Sequence, residues 1–168
     1  MEYFPKRKRL RLKGYDYSRD GYYFVTICVK YLRNLLGHVG RDVLIAPDVP
    51  IEPEVQLSEY GNVVSKHINI IDTRLPGIWV DKYVIMPNHI HMIIVIDQAA
   101  GGGAIETSRP TLSGIIRSFK TMVTKEIGVS VWQTSFHDRI IRNEAEYRLI
   151  WQYIDENPAK WQADRYFR

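Results

Sequence analysis

Apolar residues fall into two kinds of run along this chain, and the period of each predicts an element. "YYFVTICV", Tyr22–Val29, is a continuous β-rich stretch behind a turn signal at Ser18 to Gly21, and it reads as a strand. "IWVDKYVIMP" and "HIHMIIVI" read as two more strands with Pro87–Asn88 at their junction. Segments of helical period alternate with these. In "SEYGNVVSKHINIIDT", Val63, Val64, His67, Ile68 and Ile71 recur near helical spacing behind a capping Ser58. Leu112, Ile115, Ile116, Phe119, Met122 and Val123 form the stripe of a second helix that starts at Thr111 and stops at Gly128. "WQTSFHDRIIRN" suggests a last strand. A last helix begins near Asn143, with Glu144 and Glu146 favouring its dipole, and ends at Pro158. Residues 37–56 contain prolines without a clear period and are expected to be loop, and 97–110, centred on Gly101–Gly103, is expected to be a flexible loop.

The order is strand, helix, two strands, helix, strand. This is the βαββαβ unit of the ferredoxin-like α+β class, an antiparallel sheet with helices on one face, here followed by a C-terminal helix. That fold carries many activities, so it assigns none. The length of 168 residues suits one domain, expected over 21–168 behind a basic arm at 1–20.

Composition narrows the setting. A lone cysteine, Cys28, excludes an internal disulfide and a cysteine-rich zinc site, which points to a reducing, cytoplasmic location. No apolar run is long enough to span a bilayer, so no membrane partner is expected. The formal net charge of +4 is concentrated in Lys6, Arg7, Lys8, Arg9, Arg11 and Lys13. Such a block is either a solvated terminus or an arm that tracks phosphates.

Candidate chemistry begins at His89 and His91. Their spacing puts two imidazoles on one strand face, either hydrogen-bonded to neighbours or sharing a cation that needs a third ligand. In "EAEYRLIWQYIDENPAKW", Tyr147, Ile150, Trp151 and Ile154 make the apolar stripe of the last helix. Rotation of about 100° per residue leaves Tyr153 at the flank of that stripe, with Asn157 one turn on. Tyr153 is then either a structural core-edge phenol or a reactive one. Pro158 disfavours helical geometry at Asn157, so the helix can end there and the one-turn spacing is approximate.

These blocks resemble a known family. "RLKGYDYSRDGYYFVTIC", "YVIMPNHIHMIIVI", "IIRSFKTMVTK", "WQTSFHDRIIRNE" and "YIDENPAKW", in this order, are similar to the IS200-like single-tyrosine HUH transposases, most closely their REP-associated tyrosine transposase branch. The resemblance implies a transposase that cleaves single-stranded DNA beside palindromic hairpins through a 5′-phosphotyrosine link. Tyr153 would be its nucleophile, and His89, His91 and Asn157 would hold Mg²⁺ or Mn²⁺. It further implies a partner in single-stranded or hairpin DNA, bound by the basic arm and by Arg117, Lys120, Arg139 and Arg142, and action as monomer or homodimer. His137, where relatives often have tyrosine, is not added to the metal site. Two rival readings remain: a non-catalytic nucleic-acid binder on the same scaffold, and a metal phosphodiesterase that uses water.

Overall fold

The computed structural model describes residues 12, 14–40, 53–101 and 109–168. Lys6, Arg7, Lys8, Arg9, Arg11 and Lys13 lie outside the described residues, as do 41–52 and the 102–108 part of the expected glycine-rich loop. The elements are β1 (Gly21–Cys28), β2 (Gly37–Gly40), β3 (Glu54–Leu57), α1 (Glu59–Ile68), α2 (Ile71–Arg74), β4 (Ile78–Met86), β5 (His89–Ile96), α3 (Leu112–Ile127), β6 (His137–Ile141) and α4 (Glu144–Asp155). Short 3₁₀ turns follow β1 at Lys30–Leu32 and α4 at Trp161–Ala163.

Four strands form the main sheet in the order β4-β5-β1-β6, and every neighbouring pair is antiparallel. Each strand–helix–strand crossover thus skips one position and leaves room for a strand between, which is the ferredoxin-like arrangement. The expected elements form where their signals lie. Ser58 caps α1 by accepting from the Gly61 amide, Thr111 caps α3 by accepting from the Gly114 amide, and Gly128 ends α3 in the left-handed region at φ 85°.

Side-chain alternation gives the central strands two buried faces. Val25 and Ile27 of β1 and Ile90, Met92 and Ile94 of β5 face Val64 and Ile68 of α1 and Ile115, Ile116 and Phe119 of α3. The opposite face carries Phe24 and Ile93, covered by Ile150 and Ile154 of α4. All of β5 is therefore buried, which explains its unbroken apolar run.

Three expectations are corrected. The ends of the 37–56 loop pair as an antiparallel ribbon, β2 with β3, whose strands are only four residues long, too short for their pattern to stand out. The last helix stops at Asp155 rather than Pro158, as the restriction on Asn157 requires. Trp151 is 39% exposed instead of belonging to the buried stripe, and its ring receives the Lys82 ammonium 3.8 Å from its centroid.

Candidate active site

His89 and His91 pair across the ladder with Cys28 and Thr26, so both imidazoles share the sheet face under α4. Both are buried, with their Nε2 atoms 3.0 Å apart. A chain of hydrogen bonds orients the rings. Asn88 Nδ2 donates to the carbonyls of Leu32 at 3.1 Å and Tyr166 at 2.8 Å, which turns its Oδ1 toward His89 Nδ1 at 2.9 Å. An amide oxygen only accepts, so these partners assign the proton to His89 Nδ1 and leave a lone pair on Nε2. His91 Nδ1 lies 2.9 Å from the Thr26 hydroxyl, which can either donate or accept.

Burial pushes the His89 imidazole down to about 4, with Asp164 opposing the shift and Arg165 adding to it. Burial also holds His91 well below its ordinary value, followed by the effects of His89 and Arg165. Both rings are therefore neutral near pH 7, the form in which imidazole ligates a cation.

α4 brings the phenol to this pair. Asn143 caps it by accepting from the Glu146 amide at 2.9 Å, and Ile150 and Ile154 seat it against Ile93. Tyr153, one position from Ile154, is 41% exposed on the flank. Its hydroxyl lies 3.1 Å from His91 Nε2 and donates to Asp164 Oδ2 at 3.4 Å. Burial and then the Asp164 charge push the phenol up to about 12, so it is protonated at neutral pH. Asn157, just past the helix, is buried; its Nδ2 donates to Asp164 Oδ2 at 3.2 Å, and its Oδ1 has no hydrogen-bond partner among the described residues.

The segment after α4 closes the remaining side. The Tyr166 ring lies 4.5 Å and the Trp161 ring 6.0 Å from the His89 ring, between centroids. Asp164 Oδ1 accepts from the Tyr166 amide at 2.7 Å. Asp164, Thr26, Asn88, Trp161 and Tyr166 were not among the predicted site residues. The register of β1 with β5 would have pointed to Thr26, but no periodicity marks Asp164.

The donor set fits a divalent cation. Ligand atoms of His89, His91 and Asp164, one from each, lie within 4.8 Å of one another. Neighbouring ligands of an octahedral cation at about 2.1 Å stand about 3.0 Å apart, matching the imidazole spacing. The orphaned Asn157 oxygen is a buried acceptor that a cation would satisfy. Two nitrogens with amide and carboxylate oxygens suit Mn²⁺ better than Mg²⁺.

The predicted cations are divided. Arg139 lies opposite Phe24, on the histidine face, and pairs with Glu146 at 2.6 Å. Arg142 is exposed at the start of α4, where its amide donates to Glu146. Arg117 is exposed on α3, the helix that covers the other face of the sheet. Lys120 is half-buried, and its ammonium donates to the carbonyls of Gln133 and Ser135, both at 2.9 Å. Burial lowers it to about 8. It ties the 133–135 segment to α3 and is not a free surface cation. His137 is exposed and lies outside the cation cluster. No helix among the described residues is long and apolar enough to cross a membrane.

The sheet order and the histidine face define a ferredoxin-like α+β domain with the fold of a REP-associated tyrosine transposase. That solved structure, bound to a REP hairpin, superposes with TM-score 0.60 at 20% identity, covering 90% of this chain and 73% of its own. The chain itself belongs to the family of an uncharacterized protein of Haemophilus influenzae, to which it is 35% identical over 179 residues, covering 96% of this chain and 93% of that one. A second solved structure, from Deinococcus radiodurans, gives TM-score 0.47 at 14% identity, covering 87% of this chain and 95% of its own, too weak a likeness to bear on the fold. No protein-family model matches the chain.

Proposed function

We propose that this protein is a transposase that cleaves and rejoins single-stranded DNA beside palindromic hairpins, with Tyr153 as nucleophile. The observation that carries this reading is the 3.1 Å approach of the Tyr153 hydroxyl to His91 Nε2, within a pair of neutral imidazoles 3.0 Å apart. A structural tyrosine has no need of two buried, neutral histidines. The REP hairpin bound by the structural neighbour supports hairpin DNA as the partner.

In the proposed reaction the Tyr153 oxygen bonds to the scissile phosphorus as the bond from phosphorus to the 3′ oxygen breaks. The products are a 5′-phosphotyrosine and a free 3′-hydroxyl. The phenolic proton is directed toward Asp164 Oδ2, and the departing 3′ oxygen takes up a proton. Attack by another 3′-hydroxyl reverses the step and restores the phosphodiester without an external energy source. A divalent cation, Mn²⁺ or Mg²⁺, held by His89, His91 and Asn157 would supply positive charge beside the phosphate oxygens. The half-exposed flank of α4 lets a strand reach Tyr153, while Phe24, edge-on at 6.0 Å between centroids, limits ring movement. Arg139, Arg142 and Arg117 are proposed to contact phosphates, together with the arm residues Lys6 to Lys13.

The test is a denaturing gel of end-labelled hairpins from palindromes flanking the gene, with Mn²⁺, comparing wild type with Tyr153→Phe. A slow-migrating protein–DNA band that carries the 3′-end label and vanishes in Tyr153→Phe is expected. Cleavage that survives Tyr153→Phe would transfer the chemistry to water. Hairpin binding without cleavage would favour a non-catalytic binder.

A further inference from the structure

The turn after β1 displays an aromatic ring that the fold does not use. Tyr31 and Leu32 both occupy the left-handed region, at φ 58° and 52°. Glycine or asparagine adopts that conformation more cheaply than a residue with a bulky side chain. Tyr31 is nonetheless a tyrosine, and it is 88% exposed, more than any other large apolar or aromatic side chain described. No ring contact or side-chain hydrogen bond engages it among the described residues. No described residue covers the ring.

The turn is firmly held and abuts the histidine site. The Lys30 amide donates to Val131 O at 2.8 Å and the Leu32 amide to Val29 O at 3.1 Å. Leu32 O accepts from Asn88, the residue whose Oδ1 orients His89. The Leu32 side chain packs with Met86, Trp161 and Tyr166, the wall around His89. On either side of the ring, Lys30 and Arg33 are exposed, with no ion pair to a described residue.

We propose that Tyr31 is a stacking platform for an unpaired base of the DNA strand that leads to the histidine–tyrosine site, with Lys30 and Arg33 contacting the phosphates on either side. A flat ring between two cations matches the alternation of base and phosphate along a single strand. A protein partner would instead call for a contiguous apolar patch, and the exposed sequence neighbours of Tyr31 are Lys30, Arg33 and Asn34. The backbone strain is of the kind retained where a side chain must be aimed at a ligand. The inference rests on the DNA-cleaving reading above.

The test measures, by fluorescence anisotropy, the Kd of fluorescein-labelled hairpins from palindromes flanking the gene, each made with and without a single-stranded 5′ flank. Tyr31→Ala should weaken binding of the flanked hairpin by about 10-fold or more and leave the blunt one unchanged, while Tyr31→Phe should bind as wild type does. Tyr31→Gly relieves the left-handed strain, so it should melt no lower than wild type yet bind as poorly as Tyr31→Ala. Equal affinity of wild type and Tyr31→Ala for the flanked hairpin, with cleavage intact, overturns this inference alone. A wild type that neither binds hairpins nor forms a covalent adduct removes the DNA reading and the inference with it.

Discussion

Thr26 is the residue on which the ligand state of the histidine pair turns. With the proton of His89 on Nδ1, the 3.0 Å contact between the rings requires His91 Nε2–H to donate, and His91 Nδ1 then accepts from the Thr26 hydroxyl. To offer both Nε2 lone pairs to a cation, His91 must carry its proton on Nδ1 instead, and Thr26 must turn from donor to acceptor. A hydroxyl can do both; a methyl can do neither. Thr26→Val, which keeps the β-branched shape suited to the strand, should therefore lower Mn²⁺ affinity by about 10-fold or more in calorimetric titration, and Thr26→Ser should not. Unchanged Mn²⁺ binding by Thr26→Val would show that Thr26 only packs. This residue illustrates what sequence patterning can reach. The histidines stand out by their period of two and Tyr153 by its place on a helical wheel. The role of Thr26 appears only once β1 and β5 are in register, and that of Asp164 only once the segment after α4 has folded back.

At the scale of elements, α4 is the part that converts a histidine-bearing sheet into a site. It is fastened at its side by Tyr147, which donates to Asp81 Oδ2 at 2.7 Å, and near its end by the 2.5 Å pair of Lys82 with Asp155. These contacts are largely exposed, and each is expected to contribute about 1 kcal/mol or less. The buried pair Ile150 and Ile154 matters more. Ile154→Ala should cost about 2–5 kcal/mol in urea unfolding and release the neighbouring Tyr153 from its position over His91. Adduct formation should then fall even at temperatures where the variant stays folded, whereas Lys82→Ala should leave it near wild type. If Ile154→Ala cleaved as well as wild type in that folded range, seating of α4 would not control the phenol. The long elements were legible because each satisfies a local rule: a capped stripe for α1, α3 and α4, and an apolar β-branched run for β1 and β5. The β2–β3 ribbon was not, since its pairing depends on contacts outside its own short strands. Trp151 was misassigned because helical spacing alone cannot distinguish a core ring from one covered by a lysine.

For the whole molecule, burying two imidazoles beneath α4 and the C-terminal segment links stability to acidity in a definite direction. The folded His89 has its proton affinity depressed from about 6.5 to about 4, mainly by burial, and His91 is depressed as well. Between these values the unfolded chain binds more protons than the folded one, so stability falls as pH falls. The contribution is fully present above about pH 6.5 and is lost progressively toward about pH 4. Among the described residues the carboxylates with lowered values, Asp16, Glu126, Glu146 and Glu156, lose their contribution mainly below about pH 4.5, under most of the interval in which the histidines titrate. In chelator, the urea midpoint of the wild type should therefore drop between pH 6.5 and 4.5, and that of a His89→Gln/His91→Gln variant should drop less. Added Mn²⁺ should raise the wild-type midpoint at pH 7 and lose its effect over the same interval, because protons and cation compete for the same lone pairs. Equal slopes in the two proteins would mean that the pair is not held neutral by the fold. The burial of these rings would then have to be explained by packing alone.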